Sequence, residues 1–516
     1  MKLFLARHAS RVLGVLSGFD RLVFRGTLRN IAFVAGMETY LSMRRVLLKD
    51  FAGFAQEMTA TLKAASLQEA DRLGRPVVYL PSSKTDKEAR AREIAAKKGI
   101  REGLITVLES VELCRSYDVF RNRETKWLDL VSRERKCLYL YHYLIHPRFG
   151  FMNARIQTWF PFSIQICLNG REWLSRQMDR AGIGYERREN CFSSIEDIPR
   201  AQKLMDSQLR LDWPKVLDEI ASMLNPAHAQ IFGNWNTRYY WSDHQSEWAT
   251  DVMFRNAESL AEIYSALVLH GIISFGSADV LRFLGRRVRW DFSGEILSDF
   301  KHRKEGVRLK HTIGENSLKL YDKEGSVLRP ENTINNPSDF KVFRRKEGDP
   351  SGPRAWRKLR RGVADLYRRA QIGQAINERY LDALACVDTT TSLGRLIEPI
   401  CRRITWQGRR IRALRPFSEA DSALLKAVSG GEFLVKGLRN RDIQAILYPQ
   451  APSSEKQRRQ RSNCVSRQLR LLRAHGLLRK LPHTHRYFLT SRGREITSAL
   501  LLAQRVTSEQ LRKAAA

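Results

Sequence analysis

Arg467-Gln-Leu-Arg-Leu-Leu-Arg-Ala-His-Gly-Leu-Leu-Arg-Lys480 is the stretch that decides how the C-terminal region of this chain folds. Val465, Leu469, Leu472 and Leu471 recur at helical spacing, so one side of a helix from about Gln457 to His475 is apolar, and Arg458, Arg459, Arg461, Arg467, Arg470 and Arg473 cover the rest. Gly476 stands where a helix of this length needs a left-handed residue to stop. Upstream, Glu419–Val428 reads as a short amphipathic helix stopped by Gly430 and Gly431. Asn440–Leu447 reads as a second helix with Asn440 as its N-cap and Pro449 as its end. Downstream, Leu477–Leu481 and Arg486–Thr490 flank a Pro-His-Thr-His tip and alternate as the two strands of a hairpin, after which a helix starts at Ser491. The predicted order is helix, helix, helix, hairpin, helix.

That order, with "LRAHGLLRK" and "HRYFLTSRG" in it, resembles the MarR-like winged helix-turn-helix domains. The resemblance implies that the third helix enters the major groove of DNA while the wing lies along the backbone. Arg458, Arg459, Arg461, Arg467, Arg470 and Arg473 of the helix, and Arg479, Lys480 and Arg486 of the wing, are then the nucleic-acid contacts. Winged helices also dock proteins, which is the competing reading of the same elements.

Composition points the same way along the whole chain. Lys plus Arg number 89 against 55 Asp plus Glu, a net charge of +34, and such a field attracts polyanions in a salt-dependent manner. No run of about 18 apolar residues exists, and Arg7, His8 and Arg11 interrupt the N-terminus before a signal-peptide core can form, so the expectation is a cytoplasmic protein with no membrane partner. Cys114, Cys137, Cys167, Cys191, Cys386, Cys401 and Cys464 are scattered without C-x-x-C spacing, which speaks for free thiols and against structural zinc.

The fold class expected is α+β and multi-domain: a mainly helical N-terminal region (1–103), a central antiparallel-sheet body with a basic groove (104–345), a basic helical linker region (346–416) and the winged helix-turn-helix (417–516). Met37–Leu48, Phe51–Leu73 and Lys84–Lys98 are the N-terminal helices, around a short buried strand at 76–81. Leu104–Glu112, Cys114–Arg121, Lys126–Val131, Cys137–Ile145 and Phe151–Leu168 are strands by their Val, Ile, Tyr, Phe and Trp content. Their aromatic residues could stack bases on an open face, but bulky apolar residues on both faces of Cys137–Ile145 favour a core strand. Asn169-Gly170 starts a helix over Arg171–Ala181, helices dominate 197–224 and 257–284, and Val307–Thr312, Ser317–Asp322 and Val327–Thr333 form a meander. A long basic helical region is predicted over Arg354–Leu384.

Within so basic a chain, catalysis is sought where carboxylates collect. In Tyr239–Asp251, which begins within the strand-like Arg238–Trp241, Glu247 and Asp251 would share one helical face with Asp243 and His244 just upstream, and could hold Mg²⁺ or Mn²⁺ or could instead pair with arginine. In the meander, Lys319, Tyr321 and Lys323 share one strand face, with Arg329 and Glu331 on a face that can coincide with it. Lysines that favour its phenolate would make Tyr321 a nucleophile toward phosphorus, with Lys319 and Glu331 assisting and Asp322, His311, Glu247 and Asp251 available to a metal. Lys310, Lys323 and Arg329 could alternatively line a passive groove for phosphates. "LKLYDKEGSVLRPENTIN" resembles a segment of rolling-circle replication initiators, which implies metal-dependent tyrosine attack on one DNA strand. The histidine-hydrophobic-histidine strand of that family has only His142-Tyr-Leu-Ile-His146 as a counterpart, whose histidines would stand about 13 Å apart on a strand.

Phe19-Asp20-Arg-Leu-Val-Phe-Arg-Gly-Thr27 is similar to the first strand of RNase H-like nucleases, which implies that Asp20 joins Glu109 or Glu112 and one of Asp243, Glu247 and Asp251 in a two-metal site. The expected function is nucleic-acid binding by a mobile-element or replication-type DNA-processing protein, a metal-dependent nicking endonuclease using Mg²⁺ or Mn²⁺. The alternative is a non-enzymatic DNA-binding regulator or a protein that binds structured RNA; no residue sets the oligomeric state.

Overall fold

A computed structural model describes residues 1–504 except 189, 234, 236, 274, 276, 286–295, 304–305, 347, 350, 386–392, 430–432, 434–436 and 483. Cys386, Gly430, Gly431 and His483 therefore lie outside the described residues. The chain is mixed α and β and divides into two compact units: a first of Leu16–Ala249 with Thr333–Gly373, and a second of Met1–Val15, Thr250–Asn332 and Gln374–Ala516.

In the first unit the sheet is built from β1 (Val12–Leu28), β2 (Val77–Leu80), β3 (Gly103–Arg121), β4 (Leu128–His146), β5 (Gly150–Gln157), β6 (Ile164–Asn169) and β9 (Tyr239–Phe254), in the order β9-β1-β6-β5-β4-β3-β2. A separate hairpin pairs β7 (Tyr185–Arg188) with β8 (Cys191–Ile195). The β1–β6, β6–β5, β5–β4 and β4–β3 pairs are antiparallel, whereas β2 and β3, joined through the Lys87–Lys97 helix, run parallel. The N-terminal region thus carries the long strand β1 besides the short strand read at 76–81. Leu16–Asp20 and Leu22–Phe24 of β1 are buried, as befits a strand covered on both faces, and this erases the alternation that marks a half-exposed strand. Gly170 opens the Gly170–Ala181 helix against β1, where an added Cβ would sit 1.8 Å from the Phe19 carbonyl oxygen.

Three elements differ from what the sequence predicts. The pairs predicted as Leu104–Glu112 with Cys114–Arg121, and Lys126–Val131 with Cys137–Ile145, are two long strands, β3 and β4, in register from Glu112↔Cys137 to Arg121↔Leu128. Phe151–Leu168 is not one strand but β5 and β6, turned back through Trp159–Phe162. The long helix expected over Arg354–Leu384 begins only at Leu366, because Ala355–Lys358 pairs as a strand with Lys341–Arg344, placing Trp356 opposite Phe343.

In the second unit β10 (Ile296–Arg303), β11 (Gly306–Ile313), β12 (Asn316–Lys323) and β13 (Val327–Ile334) form a meander in the order β10-β11-β12-β13. The β11–β12 turn is Gly314-Glu315, with Gly314 at φ +55°, as the sequence led one to expect. β10, which the sequence reading left out, pairs in full register with β11.

The C-terminal part of this unit contains helices Glu419–Val428, Asn440–Leu447, Glu455–Ala474 and Ser491–Ala503 and a hairpin of Leu478–Lys480 with Tyr487–Leu489. Their common core includes Leu424, Val428, Leu438, Ile443, Val465, Leu469, Leu472, Leu477, Leu489 and Ile496. Arg439, not Asn440, caps the second helix, its backbone N–H donating to Asp442 at 2.8 Å. The Asn440 side chain instead donates to the Ser462 carbonyl (2.9 Å) and to Ser466 Oγ (2.8 Å), tying the second helix to the third.

Candidate functional site

The Glu455–Ala474 helix turns Val465, Leu469, Leu471 and Leu472 into the core and leaves Arg458, Arg459, Arg467 and Arg470 exposed. Ser454 caps its start by accepting from Gln457 N, and Gly476 follows its end at φ +74°. Arg458 and Arg459 have side chains 70% and 78% exposed and stand 3.4 and 3.5 Å from Glu455, pairs that solvent screens heavily. Arg461 donates to the Gln450 carbonyl at 2.6 Å and lies over Tyr448, and Arg473 lies over Trp406, so these two brace the helix from the side. On the hairpin, Arg479 and Lys480 are exposed and Arg486 is half-buried.

The meander brings its predicted residues together differently from what a nucleophilic tyrosine needs. Lys319 Nζ sits 2.7 Å from Glu331 Oε1, and Lys323 Nζ lies 5.0 Å from the Tyr321 ring centroid, so the expected shared face exists. Tyr321 is only 7% exposed, which gives a polynucleotide phosphate no open approach to it. Burial pushes the Glu331 carboxyl up, and the charges of Lys319 and Arg329 more than offset this, holding it below the usual carboxylate range. Arg329 and Asp251 are both fully buried and joined by two bonds of 2.5 and 3.0 Å, so Arg329 is neutralised within the protein and is no phosphate contact. Lys323 is buried as well, and Lys310 is half-buried, its ammonium pushed down by burial and by Lys319 and Arg308. His311 bonds Ser298 Oγ at 2.7 Å and the Tyr380 hydroxyl at 3.3 Å, and burial pushes it down to about 4. Asp322 accepts from Val307 N at 2.5 Å. Among the described residues, His311, Asp322 and Asp251 belong to no group of possible ligands close enough to share an ion.

Glu247 and Asp251 lie on strand β9 rather than on a helix. Its burial alternates over the first half, while the second half is covered on both faces and imitates a helical stripe. Residues four apart on a strand share a face at about 13 Å, so the two carboxylates have separate partners. Asp243 in turn meets Arg369 at 3.1 Å, both fully buried, and burial pushes the Asp243 carboxyl up to about 6 against the pull of Arg369.

In the first unit β9 lies beside β1, and this neighbourhood brings Glu247 and Asp20 together, with carboxylate oxygens within 4.8 Å of one another. Asn190 Nδ2 donates to Asp20 Oδ2 at 2.9 Å, while Gln245 Nε2 and Thr333 Oγ1 donate to Glu247 Oε1 at 3.1 and 3.3 Å. Two oxygens bound to one divalent ion at about 2.1–2.5 Å stand no farther apart than about twice that length, so the pair has a spacing that a single ion can bridge. Glu109 and Glu112, the other candidates to join Asp20, are engaged by Lys63 at 3.2 Å and by Lys87, Arg155 and Tyr141, respectively.

One group went unread in the sequence. The β3–β4 ribbon ends in Asn122–Trp127, where Trp127 is 77% exposed among the exposed Arg121, Arg123 and Lys126. An exposed indole in a turn that carries Arg121, Arg123 and Lys126 beside the single carboxylate of Glu124 can stack on a base, and a basic turn ending in Trp was its signal. Tyr139, Tyr141 and Tyr143, by contrast, are buried core residues. No family model, curated protein or solved structure matches the chain.

Proposed function

We propose that this is a nucleic-acid-binding protein whose C-terminal part is a winged helix-turn-helix reading duplex DNA. The observation that carries this is the Glu455–Ala474 helix: its apolar side is consumed by the core while four arginines stand outward, next to a hairpin carrying exposed Arg479 and Lys480. A helix so arranged offers charge and hydrogen-bond donors to the major groove, and the hairpin offers them to the backbone. The exposed Trp127 with its flanking cations supplies a second contact of the stacking kind, suited to unpaired bases. The test is anisotropy titration of labelled duplex, single-stranded DNA and structured RNA with wild type and with Arg458, Arg459, Arg467 and Arg470 all changed to Gln. Loss of duplex binding in the variant supports the reading; unchanged binding ends it.

A second reading adds metal-dependent strand cleavage, favoured by the spacing of Asp20 and Glu247. In it the two carboxylates hold Mg²⁺ or Mn²⁺ and Tyr321 has no part in the chemistry. Cleavage that requires the metal, disappears in Asp20→Asn and Glu247→Gln and survives in Tyr321→Phe is the expected result. Cleavage retained in both carboxylate variants overturns it.

A further inference from the structure

His142 is a buried polar side chain in the core of the first unit with both ring nitrogens unpartnered among the described residues. It lies on β4 between Val107 of β3 and Ala154 of β5 and is 3% exposed. Burial pushes its imidazole down to about 4, so it is neutral near pH 7 and carries one donor and one acceptor nitrogen. Buried polar atoms left without partners are costly, and a native structure retains few of them without a reason.

The reason lies in what surrounds the ring. His142 lines a pocket of about 210 Å³ formed by the Phe51–Arg72 helix, the start of β3, the end of β4 and the end of the Trp213–Leu224 helix, with a rim that reaches solvent at Glu102, Pro147 and Met223. Its wall is mainly apolar, with Ala65, Leu104, Leu144 and Leu224 among the lining residues and no Lys or Arg. An apolar cavity of about 150 Å³ is enough to hold a benzene ring, so this one has room for one or two fused rings. His146, at the other end of the same strand face, also lines it; its Nδ1 accepts from the backbone N–H groups of Arg148 (3.0 Å) and Phe149 (3.3 Å). Glu69 and Glu102 line the cavity as well, so an anionic ligand would meet like charge and no counter-ion.

We propose that this cavity binds a neutral, flat, mono- or bicyclic aromatic molecule bearing a hydroxyl, which donates its hydrogen bond to His142. The apolar wall supplies affinity and the single buried imidazole supplies orientation, the usual division of labour in a small-molecule site. The assignment is independent of nucleic-acid binding.

The probes are 2-naphthol and naphthalene, identical in ring shape and differing by the hydroxyl, titrated into the full-length protein by fluorescence. Saturable binding of one 2-naphthol, with naphthalene weaker by on the order of ten-fold or more, is expected. Ala65→Phe, which fills the cavity, should abolish binding of both, and His142→Leu should bring the two probes to similar affinity. If His142→Leu does not fold by circular dichroism, the ¹⁵N shifts of the His142 ring in wild type decide, since they must move when 2-naphthol is added. Equal affinity for the two probes in wild type, 2-naphthol binding retained in Ala65→Phe, or no saturable binding at all overturns the proposal.

Discussion

Changing Arg458, Arg459, Arg467 and Arg470 to Gln removes four outward charges from the Glu455–Ala474 helix without touching Val465, Leu469, Leu471 or Leu472, which face the core. Gln keeps helix propensity and much of the side-chain length, so the helix should persist. If each arginine contacts a phosphate, each adds about 0.9 to the slope of log affinity against log salt, and the four together about 3.6. Over a rise from roughly 50 to 200 mM salt that contribution corresponds to about a 150-fold loss of duplex affinity in wild type, which the variant should no longer show. The assay is anisotropy of a labelled duplex of arbitrary sequence at several salt concentrations, with circular dichroism of the variant as a folding control. A folded variant whose salt slope equals that of wild type would refute the reasoning, because the exposed arginines would then be a solvated face. A slope reduced by only about one would mean that a single arginine reaches the phosphates.

Asp251→Ala should destabilise the second unit by about 3–5 kcal/mol, since it strands the Arg329 guanidinium where both side chains are fully buried. Asp251→Leu with Arg329→Met should cost far less. Urea midpoints measure both, and a loss below about 1 kcal/mol for the single variant would mean that the pair is not dry. Asn440→Ala removes the bonds to the Ser462 carbonyl and Ser466 Oγ and should lower stability by about 1–2 kcal/mol, seen as faster amide exchange in the Asn440–Leu447 helix. His142 and His311 both have their pKa lowered from 6.5 to about 4 by burial, so each stabilises the fold fully above pH 6.5 and loses that contribution as pH falls through 4. At 1.36 kcal/mol per unit the loss is about 3 kcal/mol for each. Unfolding midpoints of His311→Gln should therefore depend less on pH than wild type between about 6.5 and 4, and parallel curves would disprove the assignment.

Much of the architecture was legible in the sequence because it is set locally. The third helix was read to within two residues at its start, the apolar stripe and Gly476 sufficing. The meander strands were legible from alternation and from their Gly-containing turns, and the shared face of Lys319, Tyr321 and Lys323 followed from the two-residue period. What failed did so for identifiable reasons. Glu247 and Asp251 were placed on a helical face because β9 is covered on both faces over its second half, where alternation vanishes and length and β-branching alone must separate strand from helix. Asn440 has the right chemistry for a cap, but a better partner on another helix claimed its side chain.

The sequence by itself determined the C-terminal helices and hairpin, the outward arginines and the basic field around the chain, because periodicity, caps and charge act over a few residues. Tertiary structure alone decided which carboxylates are spoken for. Asp251 and Arg329 meet across 78 residues of chain, Glu247 reaches Asp20 only because β9 lies beside β1, and His142 is left facing a cavity by helices far from it in sequence. Strand order and register are set by long-range pairing, and no local pattern encodes them.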